Sequence, residues 1–266
     1  MQSILEHPLV RAATLTGSGR AGSSVAVEAG KHIKKTVLEL GGSDAYLILH
    51  DADVEQAAEV CTKSRLLNTG QSCIGAKRFI TVPEVHESFL GNFMKNMQAA
   101  KMGDPKNEET TLGALARPDL RDNLHRQVRE SVEKGAKLIL GGEIPDGKGN
   151  FYPPTILTEV KPGMPAFDEE LFGPVAAVVA AKDEEDAIKL ANASDYGLGA
   201  AVFTTDEKRG EQIADERLEA GSCFVNGLVK SDPRLPFGGI KVSGYGRELS
   251  HYGIKEFVNI KTVWVQ

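Results

Sequence analysis

Of the three cysteines in this 266-residue sequence, Cys73 stands in the setting that suits a nucleophile. It ends the run Asn68-Thr69-Gly70-Gln71-Ser72-Cys73, whose small and amide-bearing side chains leave the thiol reachable and let backbone N–H groups stabilise a thiolate or an oxyanion. Cys61 falls in a helical stretch and Cys223 in an apolar strand, so both read as buried core thiols. A cysteine nucleophile normally needs a histidine base, yet none of His7, His32, His50, His86, His125 or His251 lies in a convincing motif. That argues against a papain-like protease and for chemistry in which a carboxylate activates water in a second step. Glu39, in Leu38-Glu39-Leu40-Gly41-Gly42, is such a carboxylate: burial by the leucines would raise its pKa and suit it to general-base work. A strand-end glutamate facing solvent is the competing reading.

A third feature, Gly17-Ser18-Gly19-Arg20-Ala21-Gly22, satisfies G-x-G-x-x-G between a strand and a helix, a place where backbone N–H groups meet an anionic phosphate. Glu39 lies 17 residues beyond Gly22, where a dinucleotide fold places the acid that holds ribose hydroxyls. At the level of the motif, three readings therefore stay open: cofactor ligand, general base, and a ligand-free turn.

The elements that must carry these residues alternate. The pattern predicts a strand at Ala12–Leu15, a helix at Ser24–Lys35 and a strand at Thr36–Leu38. It then predicts a helix from Val54 to Leu67 capped by the Asp51–Asp53 cluster, and a strand at Arg78–Val82. Helices Val85–Ala100 and Arg117–Lys134, strand Lys137–Leu140 and the surface excursion Gly142–Pro154 follow. Strand Val175–Ala180, helix Glu184–Ala193, strand Ala200–Phe203, helix Asp206–Leu218 and strand Ser222–Val225 continue the alternation, which implies a mostly parallel sheet with helices on both faces. The last segment, Phe257–Val265, alternates apolar and polar residues and reads as an edge strand that a partner subunit would cover.

Composition excludes several classes. With 31 Lys+Arg against 37 Asp+Glu the net charge is −6, which offers no basic stripe for nucleic acid. No segment approaches a membrane span, and the start lacks a signal peptide's basic region and cleavage site, so a soluble cytoplasmic protein is expected. Three scattered cysteines make neither a disulfide framework nor a zinc site, and no metal is expected. The 28 glycines exceed the usual ~7%.

Four blocks, LELGGSDAYLIL, NTGQSCIGAKRFI, EELFGPVAAV and LPFGGIKVSGYGRELSHYGIKEF, resemble those of the aldehyde dehydrogenase superfamily, in the family's order along nearly the whole chain. The resemblance is strongest to bacterial NAD(P)-dependent succinate-semialdehyde dehydrogenases. It implies an α/β fold: a three-layer parallel-sheet catalytic domain (residues 42–250), a partial cofactor domain (1–41) and a C-terminal dimerisation strand (251–266). By resemblance Cys73 is the nucleophile and Glu39 the general base, which displaces the ribose reading of Glu39. Gly17, Ser18 and Leu40 fall on the cofactor side, Glu170 would hold the nicotinamide ribose, Phe172 would lie against the nicotinamide, and Phe237 would line the substrate tunnel. Without the family, Glu169-Glu170 would read as an exposed acidic pair and both phenylalanines as core aromatics.

The implied reaction oxidises a small aldehyde with NAD or NADP, through a thiohemiacetal and a thioester on Cys73. Lys230, Ser231 and Arg234 are candidate donors to a substrate carboxylate. Some succinate-semialdehyde members carry an arginine directly before NTGQ, where this chain has Leu67. Family members are longer, so the resemblance also implies a C-terminal part without most of the cofactor domain, the lysine-containing strand end, the asparagine of the oxyanion hole and the first part of the dimerisation hairpin. Two alternatives follow: a catalytically incompetent fragment, and an NAD-independent thiol esterase.

Overall fold

The computed structural model describes residues 2–266. In chain order it begins with helix α1 (Gln2–Glu6), strand β1 (Ala12–Thr16), α2 (Gly19–Lys31), β2 (Lys35–Glu39), β3 (Ala45–Ile48) and α3 (Val54–Leu66). Then come β4 (Arg78–Thr81), α4 (Pro83–Gln98), α5 (Pro118–Glu133), β5 (Lys137–Leu140), β6 (Thr155–Thr158), α6 (Pro165–Asp168), β7 (Val175–Ala180) and α7 (Glu184–Asn192). The chain continues through β8 (Tyr196–Gly197), β9 (Gly199–Phe203), α8 (Glu207–Gln212), β10 (Ser222–Val225), β11 (Ile240–Lys241), β12 (Gly244–Tyr245) and α9 (Ser250–Glu256). Among the described residues no helix is long and apolar enough to cross a membrane.

Seven strands form the main sheet in the order β10-β9-β3-β4-β7-β6-β5, parallel except for the edge strand β5. Helix α4 shows why this layer packs. Val85, Phe89, Phe93 and Met97 recur every fourth residue and form a buried stripe. Phe93 lies 4.7 Å from the Phe79 ring of β4 and 5.3 Å from Phe89. Truncating such a residue to alanine costs about 3–5 kcal/mol.

A second, small sheet holds the glycine turn and Glu39. β1 and β2 pair in parallel, and β12, far along the chain, adds antiparallel to β2 with Gly244 opposite Glu39. The segment after residue 240 is thus woven into the sheet that the sequence assigns to residues 1–41.

The structure corrects the predicted elements at several points. Helix α2 starts at Gly19, inside the glycine turn, because Ser18 adopts an extended conformation and its hydroxyl caps the Ala21 N–H. β3 and β6 were hidden from the pattern because all four residues of each are buried, which removes the alternation that marks a half-buried strand. The helix expected to run to Leu218 changes to π geometry at Ile213–Arg217. Cys223 is only half-buried, since β10 is an edge strand. Residues 257–266 form no strand: Ile260, Val263, Trp264 and Val265 are 77–85% exposed. A strand needs a neighbour for its N–H and C=O groups, and within one chain this segment meets none.

Candidate active site

The segment that carries the nucleophile candidate begins as α3 ends. Asn68 and Thr69 both take left-handed backbone angles (φ 52° and 58°), and Gly70 follows at φ 73°. Consecutive non-glycine residues in this region, one of them β-branched, carry about 1–3 kcal/mol of strain each. The surroundings hold them there. Asn68 Nδ2 donates to the Gln71 carbonyl (3.0 Å), buried Arg65 donates to the Gly70 carbonyl (2.7 Å), and a Cβ on Gly70 would lie 2.3 Å from the Gly173 carbonyl. Gln71 in turn accepts the Ala116 N–H at 2.8 Å.

Past the turn, the fully buried Lys77 Nζ donates to the carbonyls of Ser72 (2.9 Å) and Cys73 (2.6 Å), and Glu170 Oε1 lies 3.7 Å from it. Arg78, also buried, donates to Ser43, Leu190 and Ala191 carbonyls. Burial pushes the Cys73 thiol upward; the Lys77 ammonium opposes this, and Asp44 and Glu170 reinforce it. Cys73 itself is half-buried, whereas Cys61 is fully enclosed with its thiol well above the ordinary value.

Glu39 ends β2, and its carbonyl accepts the Gly17 N–H at 2.9 Å, which joins base candidate and glycine turn. Its side chain is buried, and neither carboxylate oxygen has a hydrogen-bond partner. Burial, with Glu248 nearby, pushes its pKa up to about 7 against the opposing charge of Arg247. The Arg247 guanidinium is engaged elsewhere, on the Gly239 (3.0 Å) and Gly246 (2.7 Å) carbonyls. Gly238 crosses so close that a Cβ there would lie 2.8 Å from Glu39 Oε1. The solvent-facing reading of Glu39 does not hold. Three residues further on, a Cβ on Gly42 would lie 2.6 Å from the Cys73 carbonyl, so the exit of β2 rests on the nucleophile segment.

A cleft of about 620 Å³ opens between the two sheets and brings together Gly17, Ser18, Leu40, Cys73, Glu170 and Phe172. Gly22, the last glycine of the motif, is where α2 presses on β2: a Cβ there would lie 2.6 Å from the Leu40 side chain. The acidic pair divides. Glu169 binds Arg126 (2.7 Å) and Gln127 (2.9 Å), while Glu170 turns inward to accept the Gly42 N–H at 3.0 Å. Leu120 and Asn123 of α5 and Gln71 also line the cleft. The sequence carries no signal for the first two, which read as an ordinary exposed helix face.

Phe237 is half-buried, and its N–H and carbonyl exchange hydrogen bonds with Glu248 (2.9 and 2.7 Å), which puts its block beside Glu39. Lys230, Ser231 and Arg234 are exposed on the loop ahead of it and do not line the cleft that holds Cys73. The Arg234 guanidinium is taken by Asp232 through bonds of 2.9 and 2.7 Å.

This arrangement has close counterparts. The sequence is 52% identical over 264 residues to a succinate semialdehyde dehydrogenase [NAD(P)+] of Escherichia coli, covering 99% of this chain and 57% of that protein. It is 47% identical over 265 residues to a succinate-semialdehyde dehydrogenase [NADP(+)] of Mycobacterium avium, covering 100% of this chain and 56% of the relative. The crystal structure of succinic semialdehyde dehydrogenase from Streptococcus pyogenes in complex with NADP+ superposes with a TM-score of 0.96 at 42% identity, over 99% of this chain and 58% of that one. The chain therefore spans somewhat under three fifths of the length of these proteins. The aldehyde dehydrogenase family pattern matches residues 1–263. With three of the four blocks lining one cleft, the fourth packed over Glu39, and the family pattern matched along almost the full chain, this protein belongs to the aldehyde dehydrogenase family.

Proposed function

We propose that the chain carries the nucleophile and base of an NAD(P)-dependent oxidation of succinate semialdehyde to the acid. The observation that carries the reading is a half-buried Cys73 on the cleft together with a partnerless, buried Glu39 of pKa about 7, three residues before Gly42, which packs on the Cys73 carbonyl. The Ser18-capped start of α2 would offer N–H groups to a cofactor phosphate, Glu170 and Phe172 on the same cleft would hold its nicotinamide end, and the bound NAD(P)+ would supply the hydride acceptor.

The Cys73 thiolate adds to the aldehyde carbon, and after hydride departs a thioester remains on the sulfur. Glu39 takes a proton from water, the hydroxide adds to the thioester carbonyl, and the Cys73 thiolate leaves with release of the acid. A carboxyl of pKa about 7 is half ionised near neutrality, which suits it to take that proton and release it again. Phe237 would border the acyl group only from outside the cleft's present lining, and Lys230, Ser231 and Arg234 would have to move towards the cleft to meet a substrate carboxylate, with Arg234 first leaving Asp232. A second copy pairing with residues 257–265 would cover the exposed apolar tail in a cytoplasmic homo-oligomer.

The test is to follow cofactor reduction by the purified chain with succinate semialdehyde and NAD+ or NADP+. Cys73-dependent reduction supports the reading. Ester cleavage indifferent to NAD(P)+, without reduction, would instead identify a thiol esterase; neither activity would identify an incompetent fragment.

A further inference from the structure

Lys77 is the only lysine with no exposed side-chain surface among the described buried polar residues, and the reaction outlined above makes no use of it. Its ammonium has three partners: the carbonyls of Ser72 and Cys73 at 2.9 and 2.6 Å, and Glu170 Oε1 at 3.7 Å. Glu170 is fixed from the other side by the Gly42 N–H, and a Cβ on Gly41 would lie 2.5 Å from Glu170 Oε2, so its carboxylate is seated in a fitted niche. One ammonium thus joins the backbone that carries the nucleophile to the carboxylate on the cofactor side of the cleft. We propose that Lys77 is a positioning residue, which fixes the Ser72–Cys73 carbonyls and the Glu170 carboxylate as one unit and supplies the positive charge that favours the Cys73 thiolate. The inference rests on the reading of Cys73 as the nucleophile.

The charges around this unit set the sign of its effect. Asp44, fully buried, accepts the Gly199 N–H at 3.1 Å and leaves its second oxygen unpartnered; Arg65 and Arg78 are the neighbouring cations, and the Tyr196 ring edge approaches Gly41. Arg65 is committed to the Gly70 carbonyl and Arg78 to residues 43, 190 and 191, so neither reaches the Ser72–Cys73 carbonyls in place of Lys77. Without Lys77, the thiol keeps two acidic neighbours, Asp44 and Glu170, and loses its nearest cation.

The experiment measures alkylation of Cys73 by iodoacetamide against pH, resolved by peptide mass so that Cys61 and Cys223 do not contribute. Lys77→Met is expected to move the midpoint up by about one pH unit, a loss of about tenfold in rate at neutral pH. Glu170→Gln is expected to move it down, and the double variant to return towards the wild type. A midpoint unmoved by Lys77→Met, or moved in the same direction by both single variants, overturns the proposal, because loosened packing has no reason to follow the sign of the charge. If Lys77→Met does not fold, Lys77→Gln decides: a raised midpoint supports the proposal, an equal or lower one overturns it. The reagent needs neither aldehyde nor cofactor, so the result is readable even if the chain fails to oxidise aldehyde.

Discussion

The two sheets that flank the cleft handle the buried charge nearest their candidate residues differently. On the Cys73 side, carried by the large sheet, the buried cations Arg65, Lys77 and Arg78 each donate to backbone carbonyls, though Arg65 leaves Nε and Nη1 unpartnered, and the Arg65 bond to Gly70 helps to hold the strained residues 68 and 69. On the base side, carried by the three-stranded sheet, Glu39 is buried with both oxygens unpartnered. The difference fits what each group would do in the proposed reaction. A nucleophile needs a fixed position, which hydrogen bonds provide; a base needs proton affinity near neutrality, and a hydrogen bond donated to its charged form would lower that affinity.

Four variants sharpen or break this contrast. The largest effect falls on the nucleophile: Cys73→Ala is expected to lower cofactor-coupled aldehyde oxidation by about 10⁴-fold or more, measured by single-turnover and steady-state assays of the purified chain. Next, Arg78→Met, which leaves the Ser43, Leu190 and Ala191 carbonyls without their donor, is expected to destabilise the fold by about 1–3 kcal/mol per orphaned carbonyl in urea titration. A loss below 1 kcal/mol would show that the nucleophile side does not depend on its cations.

The third variant concerns pH. Glu39 binds its proton more tightly when folded (about 7) than unfolded, so its contribution to stability is present below the unfolded value of 4.5 and is lost as pH rises through 7. Glu39→Gln removes that loss. Allowing for screening, the wild type is expected to fall by about 2 kcal/mol relative to the variant between pH 4.5 and pH 8. Asp44, raised to about 6, is common to both proteins and cancels from the difference. The smallest effect is on the surface: Arg117→Ala breaks an exposed pair with Asp119 and is expected to leave the melting temperature unchanged.

The two sides were not equally legible in the sequence. The small neighbours of Cys73 indicated a reachable thiol, and it is half-buried on the cleft; the leucines around Glu39 indicated burial correctly. The alternation located most of the main sheet to within two residues at each strand end, but β3 and β6 escaped because wholly buried runs have no period. What closes over Glu39 could not be read, since Gly238, Arg247 and Glu248 come from some 200 residues away and meet it only through the pairing of β12 with β2. The tail at 257–265 has the alternation of a strand, but strand formation depends on a neighbour that its own residues do not specify.

The central claim is that Glu39 is made basic by being buried without a partner. Infrared difference titration of the carboxyl band, wild type minus Glu39→Gln, tests it most directly. The account predicts a single protonation step near pH 7 that is absent from the variant; a step near 4.5, the ordinary glutamate value, would contradict it.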